Sequence, residues 1–307
     1  MMVLGPEAQE GRVIAGFGRH SIVEPLSSPG LFLQAHARGK RSELCVGDAV
    51  ELLRLGSDQA VIESVLPRRN VLYRSDSVRS KLLAANIDQA ALVLAPDPPF
   101  SEELLMRVLA AASVAEISVL LILNKSDLPP SETSASRLQL YESLGYPVIR
   151  VSARDEPETT RTALQPWLRE RCTLLLGQSG MGKSTLVNCL APGADLQTQA
   201  ISRALSSGRH TTTFSRMFEA SGLPGQNARI IDSPGFQLFG LAHLSASQLM
   251  HALPDLATHL GHCRFGNCLH RDEPGCAVGA AVAAGQFDAR RHELYKALLP
   301  ETLARGA

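Results

Sequence analysis

The sequence predicts a multidomain protein with an N-terminal β-barrel of OB type, a central α/β P-loop domain and a C-terminal α-helical zinc-binding module. Three observations predict this architecture. Short β segments punctuated by glycines fill the first part of the chain, apolar strands then alternate with helices, and a Cys/His cluster interrupts a helical tail. We place the domains at residues 1–70, 71–240 and 241–307.

The composition is typical of a globular protein. Of 307 residues, 45% are hydrophobic and 20% are charged, which argues against global disorder. No apolar run is long enough to cross a bilayer, and residues 1–12 lack the apolar core of a secretion signal. We therefore expect a cytoplasmic monomer without a membrane partner.

The N-terminal segment predicts a small antiparallel barrel. Its β segments are short, and glycines at 30, 39, 47 and 56 separate them. OB-type barrels often bind oligonucleotides, although a fold alone does not prove a function. The predicted strands are residues 12–17, 31–35, 48–53 and 59–65.

The central segment predicts a parallel sheet flanked by helices. Residues 90–94 and 117–123 are nearly continuous apolar runs, as in strands that are buried on both faces. Residues 101–115 between them have a helical pattern, with Ser101 as the N-cap. Further short strands are predicted at residues 148–151, 173–176 and 229–231.

A phosphate-binding loop follows one of these strands. The sequence GQSGMGKS at residues 177–184 matches GxxxxGK(S/T) at every fixed position, and residues 185–190 continue as a helix. Glycines let the backbone wrap phosphates, Lys183 reaches the outer phosphates, and the Ser184 hydroxyl binds Mg²⁺. A glycine-rich turn that binds nothing is the alternative. The predicted contacts are Gly177, Gln178, Ser179, Gly180, Met181, Gly182, Lys183, Ser184 and Thr185.

A guanine-recognition motif precedes this loop. NKSD, which comprises Asn124, Lys125, Ser126 and Asp127, follows the apolar strand at residues 117–123. The Asp127 carboxylate can accept hydrogen bonds from guanine N1–H and the exocyclic amine, a pair that adenine does not offer. Lys125 can pack on the base, and Asn124 can connect this loop to the phosphate loop. A helix-capping polar turn is the alternative.

The dipeptide Ser152-Ala153 fits a second base-recognition loop, where a backbone N–H meets guanine O6. In familiar small GTPases the phosphate loop comes first, whereas here NKSD and Ser-Ala precede it. This order predicts a circularly permuted GTPase domain. Permutation is tolerable because a doubly wound sheet presents all its ligand loops at the carboxyl edge of its strands.

Two switch segments complete the predicted nucleotide site. DSPG at residues 232–235 fits DxxG, so Asp232 would hold Mg²⁺ through water and the Gly235 N–H would sense the γ-phosphate. GRHTTT at residues 208–213 occupies the position of switch I, and we assign the Mg²⁺ ligand to Thr212. A Ser/Thr-rich loop without ligands remains the alternative for this second segment.

The residue after DxxG in many GTPases is a glutamine that orients the attacking water. Here it is Phe236, which cannot do so. His210 is the nearest side chain with suitable chemistry, and we assign it as the catalytic residue. A histidine that merely anchors its loop is the alternative.

A metal cluster is predicted in the C-terminal module. Cys263, Cys268, His270 and Cys276 supply three thiolates and one imidazole, which fill a tetrahedral Zn²⁺ shell. A closed four-ligand site is structural, so no catalysis is assigned to it. Scattered thiols in a loop are the alternative. The isolated thiols are predicted to be buried small hydrophobic residues, namely Cys45, Cys172 and Cys189.

The formal net charge is zero, but positive charge is concentrated in one stretch. A solvated basic surface is one interpretation and contact with a phosphate backbone is the other. The residues concerned are Arg68, Arg69, Arg74, Arg79 and Lys81.

Together these motifs resemble the bacterial small-ribosomal-subunit-dependent GTPase A family. The resemblance extends over nearly the whole chain and includes the barrel, the permuted motif order, GRHTTT, the Cys/His module and the segment LLAANIDQ at residues 82–89. It implies a GTPase that binds the small subunit and its ribosomal RNA late in assembly, is stimulated by it, and uses Mg²⁺ and one structural Zn²⁺. The barrel and the zinc module would contact RNA.

Two other functions remain open at this level. The chain could be a P-loop ATPase with an accidental NKSD, in which case ATP would compete well with GTP. It could also be a non-enzymatic RNA-binding scaffold that only senses GTP, because Phe236 removes the usual water-orienting group.

Overall fold

The N-terminal strands form a closed barrel. The computed structural model describes residues 8–17, 20–38, 43–75, 80–129, 131–194, 215–235 and 239–303. The barrel strands are β1 (Ala8–Phe17), β2 (His20–Pro25), β3 (Leu33–Ala37), β4 (Ala49–Arg54) and β5 (Gln59–Val65). They are ordered β1-β2-β3-β5-β4, and β4 pairs back onto β1. The predicted barrel is confirmed, but it is not purely antiparallel because β3 and β5 run parallel.

A β-hairpin that the sequence did not predict comes after the barrel. Its strands are β6 (Val71–Ser75) and β7 (Ser80–Ala85), and Arg74 lies directly opposite Lys81. Two neighbouring arginines of the basic stretch are structural. Arg68 pairs with the fully buried Asp48, and Arg69 pairs with Asp88. The solvated-surface interpretation therefore does not hold for Arg68, whose partner is buried, whereas the Arg69 side chain is 59% exposed and stays compatible with it.

The central domain is built on a sheet with the order β10-β9-β8-β11-β13-β12. Its strands are β8 (Gln89–Leu94), β9 (Ser118–Leu123), β10 (Val148–Arg150), β11 (Cys172–Leu176), β12 (Arg216–Glu219) and β13 (Arg229–Asp232). The expected parallel pairing holds from β10 to β13, whereas β12 runs antiparallel to β13. One pairing, between Ala15 and Arg216, joins the barrel to this sheet.

The sheet is buried on both faces, as its apolar strands predicted. Successive residues of β8 alternate between two cores, with Leu92 on one side and Val93 on the other. The flanking helices are α1 (Glu102–Val114), α2 (Glu132–Ser143), α3 (Pro157–Leu168) and α4 (Lys183–Leu190). Ser101 caps α1 by accepting from Leu104 N at 3.2 Å, which confirms the predicted helix start.

The C-terminal helices pack against α1 and α2 rather than standing apart. They are α5 (Ala246–His251), α6 (Pro254–Ala257), α7 (Ala277–Ala283) and α8 (Ala289–Leu303). Their leucines share one core with the central sheet. Arg291 of α8 is fully buried, pairs with Asp255 at 2.5 Å and lies 5.1 Å from the ring centre of Tyr141. No helix in the described ranges is both long and apolar enough to cross a membrane.

The isolated cysteines are mostly buried, as predicted. Cys45 and Cys189 are buried and Cys172 is partly buried. Burial raises the pKa of Cys45 to about 12 and that of Cys172 to about 11. These thiols therefore stay protonated near neutral pH and behave as small apolar side chains.

Candidate functional site

The phosphate loop joins β11 to α4. Gly182, at φ +81°, takes a left-handed conformation directly before Lys183 begins the helix. A Cβ at Gly182 would lie 2.3 Å from Asn124 Nδ2, so only glycine fits there. Ser184 and Thr185 are exposed in the first turn of α4. The loop therefore presents backbone N–H groups and one lysine at a helix N-terminus, an arrangement that suits an anion.

The NKSD motif lies beside this loop, as the sequence predicted. Asn124 is 2% exposed, and its Nδ2 donates to the carbonyls of Met181 at 3.1 Å and Gly182 at 3.4 Å. Its Oδ1 accepts from Ala153 N at 3.1 Å. One carboxamide therefore holds the phosphate loop, the NKSD loop and the Ser-Ala loop together.

The remaining residues of the NKSD and Ser-Ala loops make local contacts. Ser152 Oγ donates to Asp127 Oδ1 at 2.6 Å, and Ser126 N donates to Val151 O at 3.0 Å. Lys125 Nζ donates to Asp97 O at 2.7 Å. Asp127 is exposed, and within the described residues its side-chain contact is the one from Ser152 to Oδ1.

The DSPG segment reaches the phosphate loop from β13. Lys183 Nζ lies 2.5 Å from Asp232 Oδ1, and both side chains are largely buried. Ser233 Oγ donates to Leu175 O at 2.7 Å and is fully buried. A Cβ at Gly235 would lie 3.5 Å from Ser179 N, so this residue lies against the phosphate loop. The DSPG segment and the phosphate loop therefore lie side by side, in contact at Lys183 and at Ser179.

Sequence reasoning missed the structural partners of these motifs. Gln178 accepts from Ser101 N at 2.8 Å and so links the phosphate loop to α1. Ser233, the variable position after the aspartate of DxxG, anchors the DSPG turn to β11. Neither position is fixed in its motif, and both contacts join residues far apart in the chain. The predicted Thr212 and His210, together with Phe236, lie outside the described residues.

The predicted metal ligands converge in the C-terminal module. One ligand atom from each of Cys263, Cys268, His270 and Cys276 lies within 4.8 Å of the others. His270 Nδ1 is 3.4 Å from Cys263 Sγ and 3.6 Å from Cys276 Sγ. Sulfurs that share a tetrahedral zinc ion lie about 3.8 Å apart, so this donor set fits zinc.

Local contacts position His270 and donate hydrogen bonds to two of the cysteine sulfurs. His270 has φ +57°, and His292 Nε2 donates to its carbonyl at 2.6 Å. Burial lowers the pKa of His270, which favours the neutral imidazole that binds metal. Ala277 N donates to Cys263 Sγ at 3.3 Å and Gly279 N donates to Cys276 Sγ at 3.4 Å. Such donors stabilise thiolates.

Comparisons with known proteins agree with this geometry. A family model described as RsgA GTPase matches residues 65–242. The small ribosomal subunit biogenesis GTPase RsgA of Ralstonia pickettii is 50% identical over 295 residues, which cover 96% of this chain and 93% of that protein. The protein of the same name from Paraburkholderia phymatum is 51% identical over 292 residues, covering 95% of this chain and 91% of that protein.

Two solved structures have the same fold. YjeQ from Thermotoga maritima superposes with a TM-score of 0.72 at 26% identity, covering 97% of this chain and 99% of that chain. YloQ, described as a circularly permuted GTPase, gives 0.69 at 25% identity, covering 99% of this chain and 98% of that chain. The permuted order of the motifs is therefore a property of the fold.

The Cys/His cluster predicts that the purified protein binds zinc. Purified protein should contain one zinc ion per chain, and Cys276→Ala should remove most of it because three donors no longer close a tetrahedral shell. Elemental analysis after dialysis measures this. Cys172→Ala is the matched control, because its thiol lies outside the cluster, and it should keep the metal. Equal zinc in both variants would contradict the assignment.

Proposed function

The chain belongs to the RsgA GTPase family, and on that premise we propose that it binds the small ribosomal subunit and assists its late maturation. The observation that carries this proposal is the identity of about half of all residues, over nearly the whole chain, to proteins named for small-subunit biogenesis. We propose stimulation of its hydrolysis by the subunit, a cytoplasmic location and a monomeric state. The domains are proposed as residues 1–70, 71–240 and 241–307.

The chain is an enzyme that hydrolyses GTP to GDP and phosphate. The two other functions considered from the sequence, an ATPase and a non-enzymatic scaffold, are therefore set aside. The roles of individual residues in GTP binding and hydrolysis are separate proposals.

We propose that one GTP molecule spans the three loops joined by Asn124. The exposed Asp127 carboxylate accepts the guanine N1–H and amine, while the Ser152 hydroxyl keeps that carboxylate oriented. The Ala153 segment supplies a backbone donor near guanine O6. The proposed phosphate contacts are Gly177, Gln178, Ser179, Gly180, Met181, Gly182, Lys183, Ser184 and Thr185, with Asp232 and Gly235 from the DSPG segment.

Asp127→Asn tests base recognition. Replacing an acceptor by a group that also donates removes two charge-assisted hydrogen bonds to guanine, and GTP affinity should fall about a hundredfold. Affinity for xanthosine triphosphate should rise, because its C2 carbonyl accepts where guanine donates. Competition binding measures both. Asp155→Asn is the control, since its carboxylate lies at 3.4 Å from the same Ser152 hydroxyl. Unchanged guanine preference in Asp127→Asn would contradict the assignment.

We propose that Ser184, Thr212 and Asp232 hold Mg²⁺, with Asp232 acting through water. The ion supplies positive charge to the phosphate oxygens. Lys183 binds the outer phosphates, and the Gly235 N–H lies where the γ-phosphate is sensed. Phe236 cannot orient a water, so His210 is proposed to place the nucleophile.

His210→Ala tests this catalytic role. GTP turnover should fall about a hundredfold, because a positioned general base typically contributes that much, while GTP affinity should stay within about twofold. Phosphate release and nucleotide binding measure the two effects separately. His251→Ala, an exposed histidine of α5, is the control. Unchanged turnover with intact GTP binding would remove His210 from the mechanism.

We propose that the barrel, the hairpin and the zinc module contact ribosomal RNA, with Cys263, Cys268, His270 and Cys276 holding a structural Zn²⁺. The hairpin supports this. Arg74 and Lys81 face each other across β6 and β7, and within the described part of the chain neither pairs with an acid. Directly opposed like charges destabilise a hairpin, and a phosphate between them would relieve the repulsion.

Binding to small ribosomal subunits across a salt series tests this surface. Removing one phosphate contact lowers the slope of log affinity against log salt by about one, so Arg74→Gln and Lys81→Gln should each have that effect. Arg150→Gln is the control, because its guanidinium already pairs with Glu142 and belongs to β10, outside the hairpin. Slopes equal to that of the unaltered protein would contradict a role of the hairpin in RNA binding.

A further inference from the structure

The chain just after the DSPG segment is held firmly from residue 239 onward. Phe239 and Leu241 are 1% and 0% exposed. Gly240 lies between them and has no side chain. The two flanking side chains are packed in the core, and all three residues are also bound through their backbone. We call residues 239–241 the anchor segment.

Three separate elements bind the backbone of the anchor segment. Arg107 of α1 donates from Nη1 to Phe239 O at 3.3 Å. Ser75 N of β6 donates to Gly240 O at 3.2 Å. Leu241 N donates to Glu301 Oε2 of α8 at 3.0 Å. Each residue of the anchor segment is therefore bound by a different part of the molecule.

Two of these contacts form one unit. Arg107 Nη2 lies 2.6 Å from Glu301 Oε1, and the Arg107 side chain is 13% exposed. Burial alone would raise the pKa of Glu301, but the hydrogen bonds from Arg107 and from Leu241 N lower it. Glu301 is therefore ionised near neutral pH. Arg107 binds the anchor segment at Phe239 O, and Glu301 binds it at Leu241 N.

Helix α1, which carries Arg107, also contacts the phosphate loop. Ser101 N, at the start of α1, donates to Gln178 Oε1 at 2.8 Å. Helix α1 thus contacts the phosphate loop at its first turn and the anchor segment at Arg107. Gly235 lies four residues before Phe239, a chain length of at most about 14 Å, so fixing Phe239 restricts where Gly235 can lie relative to the phosphate loop.

We propose that Arg107 and Glu301 are positioning residues for GTP hydrolysis, which act through the backbone of the anchor segment and connect helix α8 to the DSPG segment. This inference rests on the proposed GTP site. In the described parts of the nucleotide loops, neither side chain has a hydrogen-bond or ion-pair partner. Because α8 belongs to the C-terminal module, this pair connects that module to the anchor segment.

The test is the first-order rate of GTP hydrolysis with protein in excess, beside nucleotide affinity and the thermal midpoint. Glu301→Ala should lower the rate about tenfold, a typical size for coupling between sites, and leave affinity for GTP within about twofold. Glu301→Gln keeps an acceptor for Leu241 N, so it should recover most of the lost rate although it still lacks the charge. This recovery distinguishes positioning of the backbone from simple stabilisation by an ion pair.

Arg290→Ala is the matched control. It removes another ion pair between α8 and α1, the one with Glu102 at 2.7 Å, without touching the anchor segment. Its rate should stay within about twofold of the unaltered protein. If Glu301→Ala does not fold, Arg107→Lys replaces it, because a lysine keeps the charge for Glu301 but has one nitrogen in place of the guanidinium fork.

An unaltered rate in Glu301→Ala, an equal loss in Arg290→Ala, or a parallel loss of nucleotide affinity would each overturn the proposal. The experiment uses intrinsic hydrolysis and no ribosomal subunits. A protein that hydrolyses GTP but gains no rate from small subunits would therefore contradict the proposed ribosomal function and leave this inference standing.

Discussion

The nucleotide site depends on the carboxamide of Asn124. It donates to the phosphate loop through Met181 O and Gly182 O, and it accepts from Ala153 N. A buried amide that loses such partners costs roughly 1–3 kcal/mol, so these contacts of one side chain join the three loops. Gly182 completes the arrangement, because any side chain there would displace Asn124.

The parallel central sheet explains why the permuted order of the motifs does not disrupt the site. The strands β8, β9, β11 and β13 are parallel neighbours, so the loops after them share one edge of the sheet whatever their order along the chain. Asn124 precedes the phosphate loop in the chain, yet it makes the contacts that the site requires. Permutation instead changes which segment comes after DSPG, and here that segment is the C-terminal module, in which Glu301 binds the anchor segment at Leu241 N.

Local signals in the sequence predicted much of the fold and the site. Ser101 ahead of two glutamates predicted the start of α1, and apolar runs that end in GQSGMGKS and NKSD placed both motifs at strand ends. The cysteine spacing predicted a cluster that the structure brings together. Each of these signals lies within a few residues of the feature it predicts.

Long-range pairings could not be predicted in the same way. The parallel contact of β3 with β5 passes over an intervening strand, and no local pattern specifies that partner. The same holds for Gln178 with Ser101 and for Arg107 with Glu301, because variable motif positions and ordinary helix-surface charges carry no signal of their own.

The central claim is that loops far apart in the chain meet on a single nucleotide. The most direct measurement is a crystal structure of the protein with Mg²⁺ and a non-hydrolysable GTP analogue. The account predicts one analogue molecule with its guanine hydrogen-bonded to Asp127 and its outer phosphates on Lys183. A structure in which these two residues face different cavities, or bind different molecules, would contradict it.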